Sequence, residues 1–437
     1  MCKSKLFLTF FLSTLFFQFV GAQDFEYFKN NIIKLSSSEF HGRGYVKNGD
    51  TKASDYLKKQ FQLLGIQPLA KSYFQNYSFE VNTFPGKMAI SLNGKKLQPA
   101  IDFVINPASK KISGKFGISL FDLARIQSDS TVLKKYLQSD FSNKFVLIDT
   151  LGWGKDPFRK SMREAISGNM VNAAGILEVV DTGMIFSVRT FQNTYTKSQL
   201  RRKAIPANVS EIQIAIDQKL ISHKARNVIG FLPGETDTFI VFTAHYDHLG
   251  HMGKDTYYPG ANDNASGTSM VLDFAKAMAA KKGKHKYSYA FMLFSGEEAG
   301  LLGSRYYVGN PLFSLSKIKQ VLNFDMVATG SGGVNIFNGT VLKGEFMLLD
   351  TINKVNTFGL ELKAKSTSRS SDHYPFHQKQ VPALFILTDG KEVGYHIPQD
   401  RFEKLPFNAY QKLFKLIYQY IEAKENGEII YSTNSDR

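Results

Sequence analysis

Short, largely apolar runs punctuate the second half of the chain: Thr238 to Phe242, Tyr289 to Phe294, Val321 to Val327 and Ala383 to Leu387. Each is too brief for a helix, and β-branched or aromatic residues recur in them, so they predict buried strands. Helical spacing appears elsewhere. Phe25, Phe28, Ile32, Ile33 and Leu35 form one apolar stripe, ending near Ser36-Ser37-Ser38. Ala53, Tyr56, Leu57, Phe61 and Leu64 form another, with Asp50 or Thr51 as its expected cap and Gly65 as its stop. Met270, Val271, Phe274 and Met278 mark a third helix after the glycine-bounded loop Gly260 to Gly267.

The texture changes between about residues 85 and 222. Shorter apolar or alternating runs appear there, at Met88–Leu92, Phe116–Leu120, Phe145–Ile148, Ile176–Val180 and Val209–Ile216. A helix is expected over Ser161–Ala174, which makes strand, helix, strand. A new strand begins at Ala225 and runs to Leu232, before the turn at Pro233-Gly234. The expected organisation is an α/β body formed by residues 23–84 and 223–437, interrupted by a smaller α/β or β-rich insert over 85–222.

The N-terminus changes the picture of location. Lys3 and Lys5 precede the apolar run Leu6 to Val20, and Val20-Gly21-Ala22 closes it. This is the pattern of a signal peptide over residues 1–22, and roughly fifteen apolar residues is short for a membrane span. The only cysteine, Cys2, would leave with it. An exported chain without cysteine suits a bacterial periplasm or the cell exterior. No stable membrane anchor is then expected. The formal net charge is +16, but the lysines are dispersed and no nucleic-acid motif accompanies them, which fits a solvated basic surface rather than a nucleic-acid partner.

Candidate chemistry gathers where the apolar runs end. The strand at 238–242 delivers His245 and Asp247, and the ends of strands are where open α/β sheets place their sites. Two apart on an extended chain, these side chains point the same way, and a carboxylate beside an imidazole is a common way to orient a metal-bound histidine. Asp263 precedes the third helix, where a plain helix cap is the competing reading. Glu297 and Glu298 follow the strand at 289–294, and adjacent carboxylates in a partly desolvated place call for a cation or a shared proton. Asp325 lies inside an apolar run and needs a partner. His396 follows the strand at 383–387. Two histidines and three acids, one of them bridging, suit two zinc ions about 3.5–4 Å apart, with one glutamate left over as a base.

Taken together, these motifs resemble the zinc peptidase family that includes aminopeptidase Y and glutamate carboxypeptidase II. The resemblance covers residues 30–65 and 225–420 and implies a mixed central sheet flanked by helices, of the zinc-exopeptidase type. It implies that His245 and Asp325 bind one zinc ion, Glu298 and His396 the other, and Asp263 bridges them. Asp247 would orient His245, Glu297 would act as general base toward a zinc-bridging water, and Tyr395 would steady the oxyanion. It further implies a cis peptide after Asp263, and places Asn264 where many relatives carry aspartate, away from the metals. Ser371-Asp372-His373 resembles a signature that lines the site without binding metal, and Arg369 is a candidate contact for a substrate carboxylate. His248, His251 and His377 are expected on the surface or behind the ligands. The insert resembles a protease-associated domain, with a role as lid or substrate access. The expected activity is that of an exported di-zinc aminopeptidase acting on peptides. The competing readings are a single-zinc glutaminyl cyclase-like enzyme and a non-catalytic, receptor-like relative. No Gly-x-Ser-x-Gly elbow and no His-Glu-x-x-His motif occurs, which argues against serine hydrolases and other zinc-peptidase classes.

Overall fold

In the computed structural model the apolar runs form the middle of a nine-stranded sheet. The structure describes residues 23–427, apart from 123–125, 128 and 150–156. The expected signal peptide lies outside the described residues. In chain order the strands are β1 (Gln67–Pro68), β2 (Phe74–Thr83), β3 (Lys219–Leu232), β4 (Phe239–His245), β5 (Ser288–Phe294), β6 (Ile318–Phe324), β7 (Val334–Phe337), β8 (Leu362–Ala364) and β9 (Ala383–Thr388). Their spatial order is β1-β3-β5-β4-β6-β9-β7-β8, with β2 also pairing β3. The four central strands β5, β4, β6 and β9 run parallel, and the pairs to β3 and β7 on either side are antiparallel. Every residue of β4 and β5 is buried, as expected for parallel strands covered on both faces.

Seven helices accompany this sheet: α1 (Phe25–Leu35), α2 (Gly49–Leu63), α3 (Gly267–Ala280), α4 (Leu302–Gly309), α5 (Lys343–Val355), α6 (His373–Gln378) and α7 (Tyr410–Asn426). One face of the sheet packs against α1, α2, α3, α5 and α7 through a core that includes Phe28, Phe61, Phe242, Phe274 and Phe414. The other face packs against α4 and α6 through Tyr307, Val308 and Phe376. The Asp24 carboxylate caps α1 by accepting from the Tyr27 N–H at 2.8 Å. For α2 the expected cap differs. Asn48 occupies the capping position in a left-handed conformation, while Asp50 is buried and meets His223 Nε2 at 2.6 Å.

Residues 88–216 build a separate eight-stranded sheet. Strands Ile112–Phe121, Lys144–Asp149, Gly175–Val180 and Thr196–Arg201 run parallel in it, with antiparallel strands at both edges. The helix expected over 161–174 spans Pro157–Ser167. Beyond it Asn169 and Asn172 both take positive φ, which turns the chain out of the helix. The strand expected to begin at Ala225 begins at Lys219, because β3 pairs with β2 from Lys219 opposite Thr83 to Val228 opposite Phe74. One core of the inserted sheet takes in Tyr45, Leu249, Met252 and Tyr258, which seats the insert against the loops that carry the functional residues.

Candidate metal centre

The parallel strands bring their C-terminal ends to one place. His245 is the last residue of β4, Glu297 and Glu298 follow β5 by a tight turn, Asp325 follows β6, and His396 comes from the loop after β9. Asp263 lies in a wide turn before α3 and is followed by a cis peptide to Asn264. All six are brought together. His245 Nε2 lies 3.5 Å from Asp263 Oδ1, 3.4 Å from Asp325 Oδ1 and 3.9 Å from Glu297 Oε2. His396 Nε2 lies 3.1 Å from Asp263 Oδ2 and 3.2 Å from Glu298 Oε2. The two oxygens of Asp263 therefore face two different groups.

The donor atoms fit a metal better than they fit each other. His396 Nε2 and Asp325 Oδ1 are buried and make no hydrogen bond despite their close neighbours, and buried polar atoms are rarely left so. Among the described residues, His248, Asp263, Glu298 and His396 form one set able to hold an ion, and His245, Glu297 and Asp325 form another. Burial opposes charge on Glu298, but His396 and His248 outweigh it and hold its carboxyl well below the usual range. Burial pushes Glu297 well above that range, with His245 opposing and Glu298 and Asp325 adding to the rise. The two adjacent glutamates are thus driven apart in proton affinity.

The Asp325 carboxylate and the turn that carries Asp263 are steadied from behind. Asp325 Oδ2 accepts from Ser371 Oγ at 2.8 Å, Ser371 accepts from Asn323 Nδ2 at 2.8 Å, and Asn323 accepts from Thr243 Oγ1 at 2.7 Å. Asp400 accepts from the Asn262 and Asp263 N–H groups at 2.8 and 3.0 Å. Asn264 holds the turn to β6, donating to the Phe324 carbonyl at 3.0 Å and accepting from Gly267 and Met326. Arg43, fully buried, donates to the carbonyls of Leu35, Tyr246, Pro259, Gly260 and Asp263.

Asp247 sits beside His245, as its spacing suggests, but its main-chain carbonyl is the nearer partner. His245 Nδ1 is 3.1 Å from that oxygen and 3.8 Å from the carboxylate. The carboxylate instead accepts from Tyr45 Oη at 2.5 Å and from the N–H groups of Glu297 and Glu298 at 3.2 and 3.4 Å. Tyr395 is half-exposed, and its ring stacks on that of His396 at 3.7 Å. His373 is buried against Phe385, outside both donor sets.

Of the two places expected for His248, the structure shows the one behind the ligands. It is fully buried, and its Nδ1 lies 2.7 Å from Glu298 Oε1. A Cβ on Gly260 would come within 2.4 Å of the His248 ring and 2.1 Å of the Asp263 carbonyl, so the glycine makes room for both. Sequence reading left the place of His248 open between two alternatives and missed Tyr45, Arg43 and Asp400. The local signals were slight: a histidine three residues beyond His245, an acid four beyond His396, and an arginine between two glycines.

Residues 227–421 match the model of Peptidase family M28, a span that contains every candidate ligand. The chain is 28% identical over 204 residues to aminopeptidase YwaD of Bacillus subtilis, an overlap of 44% of this chain and 43% of that protein. It spans about half the length of the curated relatives it matches first. Among solved structures, a zinc aminopeptidase from Bacillus subtilis superposes with a TM-score of 0.66 at 19% identity, over 91% of this chain and 94% of that one. A peptidase M28 precursor from Shewanella amazonensis gives 0.67 at 18%, over 95% and 96%. At these identities the superpositions establish the shared fold, inserted domain included.

Proposed function

We propose that the chain is an exported di-zinc aminopeptidase that removes N-terminal residues from peptides. The observation that carries this reading is Asp263, whose Oδ1 lies 3.5 Å from His245 Nε2 while its Oδ2 lies 3.1 Å from His396 Nε2. In this reading His245 and Asp325 hold one zinc ion, His396 and Glu298 the other, and Asp263 joins them. When bound, the ions supply Lewis acidity that acidifies water and polarises the scissile carbonyl. Glu297, its carboxyl raised by burial, takes the proton of the attacking water and passes it to the leaving amine. Asp247 fixes both glutamates through their main-chain N–H groups, and Tyr395, which lines the cavity, would steady the developing oxyanion. Export rests on the N-terminal pattern of Lys3, Lys5 and the apolar run to Val20. The insert, resembling a protease-associated domain, would govern access.

The experiment is zinc content measured beside hydrolysis of amino-acid anilides and N-blocked peptides. About two zinc ions per chain, with cleavage confined to free-amine substrates, is the expected result. Zinc near one per chain, or cleavage of blocked peptides only, overturns the di-zinc aminopeptidase reading.

A further inference from the structure

A cavity of about 310 Å³ opens over the metal centre, with Glu297, Glu298 and His396 at its floor. Its walls carry Arg189 from the insert and Arg369 from the loop before α6. Among the described residues neither guanidinium has an acidic partner within ion-pair distance. Arg189 donates only to the neighbouring Val188 carbonyl, and Arg369 lies over the Tyr374 ring. The other wall residues contributed by the insert are Ser187, Val188 and Thr190, all uncharged.

The insert segment is anchored, so Arg189 is presented from a fixed backbone. The Phe186 N–H donates to the His396 carbonyl at 3.2 Å, tying the insert to a candidate ligand. The Phe186 ring packs between Phe84 and Tyr258. The Arg189 carbonyl accepts from the Asn82 N–H at 2.9 Å, and the Asn82 side chain donates to the carbonyls of Pro107 and Ser109 at 2.8 and 2.9 Å. Charge in the cavity is thereby divided, acidic and metal-binding at the floor and cationic at the wall. Guanidinium groups match carboxylates in shape and charge, and the volume is at the small end of ligand pockets.

We propose that Arg189 and Arg369 form a carboxylate subsite, so that the favoured substrates are short peptides bringing a carboxylate beside the metal centre. The inference rests on the peptidase reading and extends it to substrate class. Two sources of that carboxylate are chemically equivalent at the wall: an acidic side chain on the cleaved residue, or the free C-terminus of a dipeptide.

The test uses the zinc-loaded protein and isosteric pairs, glutamyl against glutaminyl anilide, and Ala-Ala against its C-terminal amide. In the wild type, kcat/KM is expected to favour the carboxylate member of at least one pair by about tenfold or more, chiefly through KM. Arg189→Met and Arg369→Met each reduce that ratio toward one, and Arg189→Lys restores part of it. A preference confined to the anilides assigns the subsite to the side chain, and one confined to the dipeptides assigns it to the C-terminus. Equal use of both members by the wild type, or an unchanged ratio in both methionine variants, overturns the subsite. If the zinc-loaded protein cleaves none of the four, the peptidase reading falls instead. Calorimetric binding of the same compounds then decides the subsite: tighter binding of a carboxylate member that Arg189→Met abolishes supports it, and equal binding within both pairs refutes it.

Discussion

His248 Nδ1 lies 2.7 Å from Glu298 Oε1, while the other oxygen of the same carboxylate faces His396. Burial lowers the proton affinity of His248, so its neutral ring donates Nδ1–H and holds Glu298 with Oε2 directed inward. Groups that orient a metal ligand typically tune affinity by 10–100-fold. His248→Gln is expected to weaken zinc binding by about that factor, read by competition with a chromophoric chelator. Affinity equal to wild type would remove His248 from this role.

Glu297 is the acid left over once the ligands are assigned. Glu297→Gln is expected to keep its zinc and lose about 10²–10⁴-fold in kcat. Near-normal turnover in a fully loaded variant would show that another group carries the proton.

The Tyr45–Asp247 bond supports both glutamates at one remove, because the same carboxylate accepts from their main-chain N–H groups. Tyr45→Phe keeps the ring, its edge-on contact with Phe79 and its tilted one with His223. It leaves Asp247 short of a donor in a fully buried place, where burial already lifts its carboxyl to about 6. We expect a loss of about 1–3 kcal/mol in stability and a fall in kcat larger than any change in KM. A change in KM alone would point to substrate contact instead.

Far from the metal centre, burial lifts the Asp273 carboxyl to about 7. It accepts from Tyr410 Oη at 2.6 Å and the Asp24 N–H at 3.2 Å. Below about pH 4 the group is protonated in folded and unfolded chains alike. Between about pH 4 and 7 only the unfolded chain gives up its proton, so wild-type stability falls as pH rises through that window. Asp273→Asn removes the effect. Relative to wild type the variant should gain up to about 4 kcal/mol between pH 4 and pH 8, measured by urea unfolding. A stability difference that does not move with pH would exclude it.

How much of this was legible depends on distance along the chain. The central strands could be read because strands buried on both faces are written as largely apolar runs, and His245, Glu298 and Asp325 lie within a few residues of one. Asp263 was found through its glycine-bounded loop. Tyr45 and Arg43 escaped because they act across about two hundred residues, and no periodicity marks such a contact. His248 was expected on the surface or behind the ligands, and it stands buried behind Glu298. The room for its ring comes from Gly260, which is a tertiary fact. The expected helix beyond Ser167 failed locally, where Asn169 and Asn172 adopt positive φ.

The long β2–β3 ribbon carries an architectural consequence. Thr83 and Lys219 face each other as paired residues, so the chain leaves the main sheet and returns to it at adjacent positions. Topologically, everything between them hangs from a hairpin whose loop has grown into a domain. Lineages could gain, lose or exchange that domain without rethreading the body beneath, and a protein engineer could replace it with a short turn. Because Phe186 bonds to the His396 carbonyl, such grafting would still be felt at the metal centre, making the appended domain a ready means of diversifying what the older body accepts.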